Sequence, residues 1–251
     1  MEGVDGSRGV NFRALQSLFR ISMEDNADFK TTISISMLEV YNEKIKDLLG
    51  VAASRNAAIA KADFDFTDLE IRMGKQGVFV EHLRELPVED MLEVQTLILK
   101  GCQNRQTASN NVNEHSSRSH LVIIIKVDRE NRRSGEKLAG LMTLVDLAGS
   151  ERVKLTSATG QRLREAQHIN KSLSSLGDVI AALASGQKHI PYRNSKLTFL
   201  LQDCLKESSK VLMFVNINPI PDYAQESTCS LQFATRCRSV QLGQARKVTV
   251  V

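Results

Sequence analysis

The sequence predicts a mixed α/β sheet with helices on both faces. Three observations carry that prediction. Apolar stretches with strand-like and helix-like spacing alternate along the 251 residues. A β-rich run, residues 141–145 (LMTLV), ends in Asp146, with Gly149 three positions on, as a buried parallel strand feeding a phosphate-sensing turn would. No linker-like tract interrupts the chain, so a single domain over residues 1–251 is expected.

The elements follow in order. Residues 11–21 (NFRALQSLFRI) place Phe12, Leu15, Leu18 and Phe19 at helical spacing. Residues 32–40 alternate Ile33, Ile35 and Met37 as a strand does, and residues 44–49 read as a short helix. Residues 51–67 are irregular, with Ala-rich and Asp-rich patches. Residues 69–72 and 78–80 are β-rich, and Gly74 and Gly77 between them fit a hairpin. A helix is expected over residues 89–100, stopping at Gly101. Strands are expected at 121–127, 141–145 and 211–217, with helical stretches between. In residues 164–184, Ala166, Ile169, Leu173, Leu176, Ile180 and Leu183 form one apolar stripe of a long amphipathic helix. Lys171, Ser174, Ser175 and Asp178 fall away from that stripe.

Composition narrows the function classes. With 42% hydrophobic and 25% charged residues, the chain can bury a sizeable core. The longest apolar run, 121–125, is ended by Lys126, far short of a membrane span. Glu2 and Asp5 precede any apolar segment, so no signal peptide is expected. Cys102, Cys204, Cys229 and Cys237 lack zinc-ligand spacing and read as reduced thiols. The net charge of +4 is unevenly spread: residues 152–196 hold eight Lys or Arg against two acids. A basic face of that kind suits an acidic partner surface. Tyr192 is the only aromatic in that window, which argues against nucleic acid.

Two polar loops carry the chemistry. Residues 113–120 read NEHSSRSH and run into the apolar strand 121–127; residues 144–151 read LVDLAGSE. In isolation the serine loop fits a helix cap or turn, and Glu151 fits a surface acid. Together, in this order, NxxSSRSH and DLAGSE resemble the two switch loops of the kinesin motor domain. The resemblance extends along nearly the whole chain. It takes in LEVYNEKIKDLL (38–49), the pair Asn104 and Arg105, NKSLSSLGDVIAAL (170–183), HIPYRNSKLTFLLQD (189–203) and SLQFATRCRSVQLG (230–243). The ending VQLGQARK (240–247) is similar to carboxy-terminal-motor, minus-end-directed kinesins of plant type.

The resemblance implies a kinesin-type P-loop NTPase fold and ATP with Mg2+ as cofactors. It places Asn113, Ser116, Ser117 and Ser119 in the first nucleotide-contacting loop, with Ser116 and Ser117 meeting magnesium and the γ-phosphate. Asp146 would hold the metal through water, Gly149 would sense the γ-phosphate, and Arg118 and Glu151 would latch the two loops together. A hydroxyl suits magnesium because a hard cation prefers oxygen. A latch that forms only when both loops close is a two-state element. The implied partner is the microtubule, contacted through Lys154, Arg162, Lys171, Arg193 and Lys196, with no nucleic acid and no membrane. The implied location is the cytoplasm and its microtubule cytoskeleton, the spindle being one such array. Dimerisation would need coiled-coil segments not found in these residues.

The chain also departs from the pattern. Lys206 and Glu207 stand where a Gly-Gly turn is usual, Cys204 replaces a serine, and Asn110 replaces a threonine. No GxxxxGK[ST] occurs, so the backbone cradle and lysine that hold the β- and γ-phosphates are missing. The expected fold therefore lacks the amino-terminal strands and the P-loop, leaving unpaired strand edges and an exposed apolar seam. Two functions follow as expectations. The first is an ATP-hydrolysing microtubule motor, impaired in turnover as this chain stands. The second is a non-catalytic module whose microtubule binding is salt-sensitive and indifferent to nucleotide.

Overall fold

The computed structural model describes residues 3–4, 6–50, 68–75, 77–107, 117–150, 161–206, 209–240, 242 and 249–250. The elements are β1 (Gly3–Val4), β2 (Ser7–Arg8), α1 (Val10–Glu24), β3 (Phe29–Tyr41), β4 (Lys44–Asp47), β5 (Ile71–Gly74), β6 (Gly77–Val80), β7 (Leu86–Val88) and α2 (Met91–Thr107). They continue with β8 (His120–Asn131), β9 (Lys137–Asp146), α3 (Gln161–Ala184), α4 (Lys196–Leu200), α5 (Ala224–Ser239) and β10 (Thr249–Val250).

The central sheet runs β10-β9-β8-β3-β4, and β7 pairs with β3 beside β4. Its core is the long ladder of β3 with β8, in which Ile35 faces Ile125, Met37 faces Ile123 and Leu38 faces Val122. Alternate side chains leave opposite faces of a strand. The odd positions Ile33, Ile35, Met37, Leu121, Ile123 and Ile125 meet Phe12, Leu15 and Phe19 of α1 and Val94 and Ile98 of α2. The even positions Leu38, Val40 and Val122 meet Leu69, Ile71, Val80 and Leu200 on the other face. Helices α3 and α4 pack there through Leu176, Val179, Ile180, Leu197 and Leu201. With both faces covered, β3 reads as one continuous buried run from Ile33 to Val40.

The α/β class and the helices on both faces stand as expected, but several local expectations do not. The run ending in Asp146 is not a buried parallel strand. Strand β9 pairs antiparallel with β8 and is only half-buried, Leu141 being exposed. Every described ladder is antiparallel, so the sheet is not mixed in strand direction among the described residues.

Residues 44–47 form strand β4 rather than a helix, because Asn42 and Glu43 take φ of 51° and 57°. Two successive left-handed residues make the two-residue turn that matches strand twist, and Tyr41 pairs with Lys44 across it. Helix α2 does not stop at Gly101. It passes through to Thr107, and a Cβ on Gly101 would lie 2.2 Å from the sulfur of buried Met37. That glycine serves helix-to-sheet approach, not termination.

Residues 211–217 form no strand. Val211, Leu212, Phe214 and Ile217 lie exposed, and among the described residues β9 is paired on its outer side only at Lys137 and Leu138, through β10. On α3 the buried face includes Ser172 and Ser175 along with Leu176, Val179 and Ile180, so Ser175 belongs to the packed side rather than the polar one. No described helix is long and apolar enough to cross a membrane.

Candidate functional site

Antiparallel pairing of β8 with β9 puts the start of one beside the end of the other: Leu121 stands opposite Asp146. The loop entering β8 and the loop leaving β9 therefore meet at one end of the sheet. Their contact is direct. The backbone N–H of Gly149 donates to the carbonyl of Ser117 at 2.8 Å. One residue earlier, the N–H of Ala148 donates to Nδ1 of His120 at 2.9 Å.

The first loop is anchored from below. Arg105, in the last turn of α2, donates from its Nε to Glu39 at 3.1 Å, and its Nη2 reaches the carbonyl and hydroxyl of Ser119 at 3.1 and 3.0 Å. All three are buried, Glu39 at 2% exposure and Ser119 at 0%. A buried carboxylate costs several kcal/mol unless paired, so Arg105 and Glu39 need each other. Ser119 thus acts here as an anchor for the loop rather than as a surface group.

His120 continues the network. Its Nε2 lies 2.8 Å from Oγ of Ser172 on α3, and that hydroxyl donates to the carbonyl of Ile169 at 2.9 Å. Burial pushes the imidazole down to about 4, and the nearby Arg105 charge pushes the same way. The ring is therefore neutral at physiological pH.

Asp146 and Gly149 open onto a broad depression along the outer side of β9, with Asn170, Ser174 and Met213 also on its wall. On the opposite side of the sheet end, Asp47 fixes the β4 loop. Its carboxylate accepts from the N–H groups of Leu49, Gly50 and Arg84 at 2.8–3.0 Å. Burial pushes this carboxyl above the usual range, against those three bonds.

Of the expected site residues, Ser117, Arg118, Ser119, Asp146 and Gly149 come together at this sheet end. Asn113, Ser116, Glu151 and Lys154 lie outside the described residues, as does the side chain of Arg162. Of the expected partner-facing cations, Lys171 is exposed on α3, and Arg193 is exposed with its guanidinium over Phe199. Lys196 is different. Its ammonium pairs with Glu70 at 3.1 Å, and its backbone N–H donates to Glu43 at 3.0 Å.

Sequence reasoning gave no role to Arg105, Glu39, His120 or Ser172. A signal for two of them was present: Glu39 interrupts an apolar strand, and a charge in such a place requires a buried partner.

A family model described as the kinesin motor domain matches residues 1–240 of the chain. The rice (Oryza sativa subsp. japonica) kinesin-like protein KIN-14R is 50% identical over 248 residues, which is 98% of this chain and 24% of that protein. The chain thus spans about a quarter of the length of that curated relative. The solved structure of a fast kinesin superposes with a TM-score of 0.84 at 36% identity, covering 98% of this chain and 66% of that one. The C-terminal motor and motor homology domain of Kar3Vik1, fused to a synthetic coiled coil, gives 0.78 at 37% identity over 92% of this chain and 57% of that one.

Proposed function

This chain belongs to the kinesin motor domain family, and from that premise we propose that it forms the switch-and-filament part of an ATP-driven microtubule motor domain. The observation that supports the reading is the Gly149-to-Ser117 bond, which joins the two loops proposed to sense phosphate, beside a helix bearing exposed Lys171.

The residues fit a magnesium nucleotide. They offer hard oxygen donors, the hydroxyl of Ser117 and the half-exposed carboxylate of Asp146, which suit a hard cation. When bound, magnesium ATP supplies the γ-phosphate charge that the two loops read. Ser116 and Ser117 would hold the metal and the phosphate, with Asn113 and Ser119 in the same loop. Asp146 would act on the metal through water. Gly149 would turn its N–H from the Ser117 carbonyl to a phosphate oxygen, and Arg118 with Glu151 would latch the closed loops.

On the filament side, Lys154, Arg162, Lys171 and Arg193 would meet acidic tubulin, and Lys196 would join them only by leaving Glu70. Such contacts are screened over about 8 Å at physiological salt. The working site is the microtubule cytoskeleton of the cytoplasm.

The 251 residues hold no GxxxxGK[ST], and backbone N–H groups of that loop are the main anion contacts of such sites. As an isolated polypeptide these residues are therefore proposed to turn ATP over poorly. A second reading follows from the same observation: a microtubule-binding module that does not respond to nucleotide.

Co-sedimentation with microtubules, with and without ATP and at two salt concentrations, separates the readings. Salt-sensitive binding that ATP releases supports the motor and refutes impaired cycling. Salt-sensitive binding indifferent to ATP supports the module. Absence of binding overturns both.

A further inference from the structure

We propose that His120 is a positioning residue that couples the second switch loop to α3 through a fixed ring tautomer. The two ring nitrogens face two different elements. Nδ1 accepts the N–H of Ala148 in the loop, and Nε2 faces the hydroxyl of Ser172 in the helix. A backbone N–H can only donate, so Nδ1 carries no proton and Nε2 must carry it. The Ser172 hydroxyl has one hydrogen, already given to the Ile169 carbonyl. It therefore accepts from Nε2. Every atom in the chain Ala148 to His120 to Ser172 to Ile169 has one permitted direction.

Two successive donors of the same loop thus differ in kind. Gly149 bonds a carbonyl oxygen, which another oxygen can replace. Ala148 bonds a ring nitrogen buried at 3% exposure. Ala148 is the pivot and Gly149 the movable donor. Ser172 is the immediate neighbour of exposed Lys171, so displacement at that lysine reaches the loop through two hydrogen bonds. A protonated ring would offer Nδ1–H to Ala148 N–H and break the chain, which fits an imidazole held far below its ordinary range.

The inference rests on the reading of α3 as the filament-facing helix, and the test keeps the two apart. Ring 15N spectra of the histidine-labelled chain at neutral pH are expected to show Nε2 protonated and Nδ1 bare for His120. Amide exchange supplies the second measurement. Ser172→Ala is expected to speed exchange at Ala148 about five- to tenfold, the effect of one weakened buried hydrogen bond. Ser172→Thr, which keeps the hydroxyl, is expected to restore the slow rate. A proton on Nδ1, or an Ala148 rate unmoved by Ser172→Ala, overturns the proposal.

Microtubules then address the filament reading. They are expected to change Ala148 exchange in the unsubstituted chain and in Ser172→Thr, and not in Ser172→Ala. Failure of microtubules to bind the unsubstituted chain sinks the filament reading of α3, while the ring and exchange results still decide the tautomer-fixed bridge.

Discussion

The backbone N–H of Gly149 is 2.8 Å from the carbonyl of Ser117, so the donor proposed for phosphate sensing is already engaged by the opposing loop. Opening that donor exchanges one hydrogen bond for another, a near-balanced step well suited to a switch. The Gly149 amide is expected to exchange with solvent roughly tenfold more slowly than an unbonded loop amide in nucleotide-free protein. Exchange at the unbonded rate would remove the basis for a movable donor.

Arg105 and Glu39 form a buried pair whose loss should be severe. Arg105→Met removes the guanidinium that bonds the Glu39 carboxylate, itself at 2% exposure, and the bonds that guanidinium gives to Ser119. Breaking one side of such a pair costs about 3–5 kcal/mol. Adding Glu39→Gln should recover part of that loss, because a neutral amide costs less to bury than a charge. Urea unfolding of the single and double variants decides the matter; equal stabilities would show the pair to be inert.

Acid should loosen the same sheet end. The His120 imidazole titrates near 6.5 when unfolded and at about 4 in the fold. Its folded form is neutral, so the unfolded chain binds the extra proton as pH falls between those values. The stability present above pH 6.5 is therefore lost progressively toward pH 4, by on the order of 3 kcal/mol. Unfolding midpoints followed across that range, with His120→Asn for comparison, should show the substituted chain losing the smaller share.

Charge reversal should divide the basic residues into two groups. Lys171 and Arg193 are exposed, and reversing either is expected to weaken microtubule attachment several-fold at low salt and less at higher salt. Lys196 is already paired with Glu70. Its reversal places two acids together and should lower thermal stability in addition to any effect on attachment. Identical profiles for Lys171→Glu and Lys196→Glu, in both sedimentation and melting, would contradict the geometry.

Much of this was legible in the residues alone. The apolar faces of α1, β3 and β8 follow period and alternation, and both faces of the sheet are covered, as the strand–helix order implies. Local pattern was weakest where a tertiary requirement overrides it. Residues 44–49 have the composition of a short helix, yet the turn at Asn42 and Glu43 commits them to a strand. Gly101 reads as a stop, yet it admits Met37. Residues 211–217 have strand composition, but no described strand pairs with them. At the site, the loop motifs located Ser117, Asp146 and Gly149. His120 and Ser172 stayed hidden and Arg105 was quoted without its partner, because their meaning lies in pairings across 14 to 66 residues of chain.

The Glu43 carboxylate meets the first amide of α4 across 153 residues of sequence, from a turn whose own backbone is left-handed. That contact joins the short helix to a hairpin made much earlier in synthesis. By contact order the local β3–β4 ribbon is expected to form first, and the neighbourhood of Arg193 to settle after closure of that very large loop.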